Sequence, residues 1–167
     1  MLELAVLLIF PAAMAFSAAS DFLSYRIPNY VSLALVAGFA IMAPAAGMSL
    51  DTALIHLAVG AIVLLIGFGL FAGNFIGGGD AKLLASTSLW LGWPLVGTFL
   101  IYMALFGGLL AVALVSIRNM QLPAGLMKHD FIARLHADGE SAPYGIAIAA
   151  SALLVYPASF WMKALSG

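Results

Sequence analysis

Cysteine is absent from this 167-residue chain, which excludes disulfides, thiolate catalysis and cysteine-ligated zinc. Charge is scarce too: only 8% of the residues are charged, against about a quarter in a soluble domain. The three histidines, His56, His129 and His136, stand at no spacing that a metal centre uses. No basic patch is present that would take nucleic acid. Neither a metal nor a cofactor is expected, and no feature specifies an oligomeric state. What fills the chain instead is apolar surface. Hydrophobic residues make up 65% of it, with a mean hydropathy of +1.15 over the whole length. That pattern describes an integral membrane protein, all-α in class, with one domain over 1–167 and the lipid bilayer as its surroundings.

A bilayer-crossing helix needs about 20 largely apolar residues, and six candidates follow one another. They cover 2–20, 30–46, 52–72, a stretch from Ala81 into Trp90, Gly92, Trp93 and Pro94, then 95–117 and 144–161. Ser17, Ala18 and Ala19 resemble a signal-peptide cleavage site. Glu3 at the start and the first basic residue, Arg26, after the span argue instead for a retained helix. Asp51 is placed to cap the third helix. The polar segment 118–143 carries Met127, Phe131, Ile132 and Leu135 at helical spacing around Lys128, Asp130 and Arg134. It reads either as a cytoplasmic loop or as a short helix on the inner surface.

Basic residues orient the chain. With the N-terminus outside, Arg26, Lys82, Arg118, Lys128 and Arg134 fall on the cytoplasmic side, and only Lys163 of the 6 falls outside. Asp21 and Asp80 then share the cytoplasmic side, and Trp90, Trp93 and Trp161 fall at the outer interface, which indole rings favour. From Asp80 to Trp93 is only about 20 Å of helix at 1.5 Å per residue, against about 30 Å of hydrocarbon. Asp80 is therefore expected inside the cytoplasmic face. The irregular backbone of Gly77, Gly78 and Gly79 before it is tolerated there only beside a wet cavity or inside protein.

An ionisable residue at membrane depth is by default a functional hypothesis, and this chain has two that can meet. Neighbouring carboxylates do not both ionise readily, so such a pair tends to share a proton near neutrality. The ionised member activates water and the protonated member polarises a carbonyl, as in aspartic proteases. Each aspartate also has a plainer reading, Asp21 as a headgroup-level residue and Asp80 as a helix cap. Around Asp21, Arg26 fits an interface anchor, Pro28 restricts the residue before it and Asn29 is placed to cap the second span. Lys82 either tunes the aspartates or anchors the span. His56 is expected to pack or to sit at the interface, away from the site. Asn74 either hydrogen-bonds near the site or ends the third span. Gly69 and Gly73 have the small-xxx-small spacing of close helix packing. The two aspartates are expected to form a divided site that assembles as spans one and three pack side by side.

Three strings carry a family resemblance. They are Asp21 with Arg26-Ile27-Pro28-Asn29, then Gly77-Gly78-Gly79-Asp80-Ala81-Lys82-Leu83, then Pro143-Tyr144-Gly145-Ile146-Ala147. The chain resembles the type IV prepilin peptidases, GxGD intramembrane aspartic proteases, and most closely their small form found with Tad/Flp pilus systems. The resemblance implies an aspartic endopeptidase of the bacterial inner membrane with Asp21 and Asp80 as the catalytic pair. It makes Gly77 and Gly79 the glycines of the signature, with Pro143, Tyr144 and Gly145 in support. Its implied substrate is a prepilin with a short basic leader ending in glycine and a hydrophobic helix beyond the cut. Larger members also methylate the new N-terminus through a cysteine-containing domain. This chain has neither the cysteines nor an insert between spans one and two, so methylation is not expected. Two other readings stand beside it: a small proton-coupled transporter using both acids as a relay, and a non-catalytic subunit of a pilus or secretion assembly.

Overall fold

A computed structural model describes residues 2–120 and 142–166. Among the described residues seven α-helices follow one another: α1 Leu2–Ser24, α2 Asn29–Ala45, α3 Leu50–Ala72, α4 Gly78–Leu91, α5 Trp93–Arg118, α6 Tyr144–Val155 and α7 Phe160–Ser166. Among the described residues no strand occurs. The chain is an all-α membrane protein. Among the described residues three stretches, Leu4–Ser24, Leu50–Ala72 and Trp93–Arg118, are helices long and apolar enough to cross a membrane. The sixth expected span is not one helix. It breaks at a 3-10 turn over Tyr156–Ala158 that contains Pro157, because proline cannot donate to the preceding turn. The expected surface helix within 118–143 lies outside the described residues for all but its ends.

Local signals set the boundaries. α1 continues past Ser20 and stops where Tyr25 takes a left-handed conformation at φ 53°, with the Tyr25 amide closing on the Asp21 carbonyl at 2.8 Å. Ile27, held ahead of a proline, stays out of the helix. Two expected caps differ from what forms. Ser49, not Asp51, caps α3 by accepting from the Thr52 amide at 3.3 Å. Pro28 rather than Asn29 precedes α2, so Asn29 is the first helical residue and its side chain is free to act elsewhere.

The helices are arranged around α4. α3 packs on it most extensively, α2 next, and α5 and α6 also touch it. From Leu83 to Leu91 every residue of α4 is buried. A helix buried all round has no lipid face to supply, and its hydroxyls turn inward: Ser86 and Ser88 donate to the Leu83 and Leu84 carbonyls. Glycines let α3 come close. A Cβ at Gly60 would stand 3.0 Å from the Leu89 Cβ, and one at Gly67 would stand 3.2 Å from the Ala81 Cβ. The expected pair does not serve this purpose: a Cβ at Gly69 would have nothing within 4 Å, and one at Gly73 would meet the nearby Phe75 ring and the Gly69 carbonyl, neither of them on α4.

An aromatic cluster fastens the opposite end of the bundle. Trp161 of α7 donates its indole N–H to the Trp90 carbonyl at 2.7 Å. Trp90 in turn donates to the Leu35 carbonyl at 2.7 Å, and the two ring centroids lie 4.6 Å apart. Tyr156 bonds the Val6 carbonyl and stacks on Phe10. Trp90 and Trp161 are therefore core residues, not members of an interfacial belt; Trp93 alone of the three is exposed. His56 belongs to this end too. It is buried, bonds the Leu89 carbonyl through Nδ1 at 2.8 Å and lies against Gly92, where a Cβ would run into the His56 ring and where a φ of 67° already favours glycine.

Candidate active site

Asp21 lies in the last turn of α1 and is 5% exposed. The C-terminal end of a helix disfavours an anion, and a buried carboxylate needs a donor. The backbone of a distant helix supplies it. The amide of Gly145, second residue of α6, donates to Asp21 Oδ2 at 2.7 Å. That amide is one of the four at a helix start with no partner inside the helix, and it lies at the positive end of the α6 dipole.

Asp80 is the third residue of α4 and is half-buried. Its carboxyl folds back to accept the Gly77 amide, the reach a capping-box acid makes at that position. The cap position itself is Gly77. The three glycines have three separate neighbours. A Cβ at Gly77 would stand 2.9 Å from Asp80 Oδ2, one at Gly78 would stand 3.2 Å from the Phe71 ring, and one at Gly79 would stand 3.2 Å from the Ile27 Cβ and 3.3 Å from its carbonyl oxygen. Ile27 is held from the other side as well, where a Cβ at Gly145 would stand 2.8 Å from its Cδ1. The linker between α1 and α2 is thus clasped between the start of α4 and the start of α6.

This clasp brings the acids to one space. A cavity of about 480 Å3 is lined by Asp21 and Asp80 together. Gly77, Gly78, Gly79, Arg26, Pro28 and Asn29 also line it. The assembly differs from the expected one in its helices. α1 packs on α2 and α6, α3 packs on α4, and among the described residues α1 and α3 do not run along one another. Asp80 comes to the same cavity as Asp21 because α4, not α3, occupies the centre.

The family comparison bears on this pair. The model of the type IV leader peptidase family matches residues 8–112, a segment that includes Asp21, the three glycines and Asp80. The chain belongs to the type IV leader peptidase family. It is accordingly a peptidase of that general kind. No curated protein and no solved structure matches it.

The other expected support residues of this leader peptidase divide by position. Lys82 is not among the residues lining the cavity, and its ammonium donates to Asn29 Oδ1 at 2.9 Å. Pro143 precedes α6 as its cap residue, and Tyr144 turns its ring against Gly107 of α5, where a Cβ would stand 3.5 Å from it. Gly145 alone of these three meets an aspartate. Asn74, in a left-handed conformation at φ 62°, follows the end of α3. Five lining residues are not among the expected site residues: Ser20, Ser24, Tyr25, Ile27 and Ala142. Ser20 donates to the Arg26 carbonyl at 2.8 Å, folding the linker back over the end of α1. Serines one helical turn apart around an aspartate were the available signal. Among the described residues no group of three or more His, Cys, Asp or Glu side chains gathers that would hold a metal.

Proposed function

We propose that this leader peptidase is an intramembrane aspartic endopeptidase of the bacterial inner membrane. It removes the short basic leader from type IV, Flp-like prepilins at the cytoplasmic face, with Asp21 and Asp80 as its catalytic pair. The single observation that carries the reading is that both carboxyl groups line one cavity, which has room for water and a peptide strand. In the reaction, one carboxylate takes a proton from water, and the resulting hydroxide attacks the scissile carbonyl. The other carboxyl, protonated, donates to the carbonyl oxygen as charge develops on it. The tetrahedral intermediate collapses as a proton passes to the leaving amine. Six membrane spans with the N-terminus outside put this cavity on the cytoplasmic side, supported by the distribution of Arg26, Lys82 and Arg118 against Lys163.

Asp21→Asn and Asp80→Asn test the pair, because each is nearly isosteric and unable to ionise. Either change alone is expected to abolish leader removal from a co-expressed prepilin, read as a mobility shift on a gel. Processing at the wild-type level by either variant would sink the role given to that residue.

A further inference from the structure

A second cavity opens directly beside the first. α2 and α3 both lie on α4, but among the described residues they do not pack along one another. The gap between them is an apolar cleft of about 550 Å3. Its floor is one face of α4, with Lys82, Ala85, Ser86 and Leu89 at the spacing of a single helical stripe. Its walls include Val36 of α2 and Leu64 of α3, both substantially exposed. Lys82 to Leu89 spans about 10 Å of helix, which is roughly two turns. The polarity of the cleft is lopsided. Lys82 and Asn29 meet at one end through their 2.9 Å hydrogen bond, and Asn29 lines the aspartate cavity as well.

We infer that this cleft seats the hydrophobic segment that follows the scissile bond of the substrate. Asn29 and Lys82 form the threshold across which the chain passes into the aspartate cavity. The inference rests on the peptidase reading and adds the place where the apolar half of the substrate lies. Three features select such an occupant. Ala85 and Ser86 at the floor are small enough to allow the backbone of a helix to approach closely. Apolar walls match an apolar segment. Continuity at Asn29 delivers the polar end of that segment beside Gly77 and Asp80. A lipid chain satisfies the walls but gains nothing from the continuity.

Ala61 of α3 lines the cleft and is itself exposed, so Ala61→Phe narrows the cleft while leaving both aspartates in place. With purified protein in vesicles and a pilin precursor as substrate, Ala61→Phe is expected to raise KM about tenfold while kcat moves less than twofold. Leu109→Phe, on the exposed face of α5, keeps both at wild type. An unchanged KM in Ala61→Phe, or a fall in kcat alone, overturns the inference. A cross-link gives a second readout, since the chain has no cysteine of its own. In an Asp80→Asn background with an added oxidant, Val36→Cys is expected to form a disulfide with a single cysteine in the substrate's hydrophobic segment, and Leu109→Cys is not. A cleft filled only by lipid gives neither the KM shift nor the cross-link while cleavage continues. That outcome removes the docking site and leaves the peptidase reading standing; failure of the peptidase reading shows separately, as intact cleavage by the two aspartate variants.

Discussion

Gly145 donates its amide to Asp21 at 2.7 Å across 124 residues of chain. The bond ties the end of the first helix to the start of the sixth and fixes where one carboxylate oxygen points. A Cβ at Gly145 would stand 2.8 Å from that same oxygen and 2.9 Å from the Asp21 Cβ, so even alanine must displace the carboxylate. A hydrogen bond to a charged group is worth about 1.5–3 kcal/mol, and 1.36 kcal/mol is about tenfold in rate. Gly145→Ala is therefore expected to slow leader removal by about 10- to 100-fold. Processing at the wild-type rate would show that Asp21 does not need this donor.

The three glycines before Asp80 predict a graded series. At Gly77 a Cβ meets the Asp80 carboxyl itself, at Gly79 it meets the Ile27 backbone, and at Gly78 it meets a ring of Phe71, which is half exposed and has room to swing. Alanine is expected to be tolerated best at Gly78, with activity within about threefold of wild type, a difference under about 1 kcal/mol. Gly77→Ala and Gly79→Ala are each expected to lose tenfold or more by the same measure. Initial rates of leader removal for the three variants check the order, and a Gly78→Ala variant slower than both others contradicts it.

Whereas the irregular backbone expected at the three glycines is confined to Gly77, since Gly78 and Gly79 open α4, the two aspartates that line the cavity stand out in the sequence because charge is scarce against hydrocarbon. The helices were legible for the same reason. What hydropathy does not encode is which apolar helix faces lipid and which faces protein. α4 reads as one span among six, yet it is the buried centre, and so the aspartates share a cavity beside α4 and not a seam between spans one and three. Trp90 and Trp161 failed in the same way. An indole suits an interface, but it suits a core equally once its N–H has a carbonyl. Small-residue spacing pointed to Gly69 and Gly73, while the face that meets α4 carries Gly60 and Gly67. Gly145 was flagged only through resemblance, since a backbone amide leaves no side-chain signature.

Lys82 and Asn29 stand 53 residues apart and are joined by one hydrogen bond between the two cavities. A bond of this kind contributes about 1 kcal/mol, or roughly fivefold in an equilibrium. Lys82→Met and Asn29→Ala are each expected to raise KM for a pilin precursor by about that factor. The double variant is expected to be no worse than either single one, as for two groups that act through one contact. Additive losses in the double-mutant cycle would show that the residues act independently.

The aromatic end of the bundle holds the fold and stands apart from the aspartate cavity, and Trp161→Phe separates the two roles. The change keeps a ring at a fully buried position but removes the donor to the Trp90 carbonyl. A buried carbonyl left without its partner costs about 1–3 kcal/mol, and for a chain of this length each kcal/mol lowers the melting temperature by about 2–4 °C. The variant is expected to melt several degrees lower in detergent while its rate of leader removal, measured well below the transition, stays within twofold of wild type. The backbone explains the separation. Trp90 lies ten residues along α4 from Asp80, about 15 Å at 1.5 Å per residue. A large fall in rate without a fall in melting temperature would instead couple the aromatic cluster to the carboxylate pair through that helix.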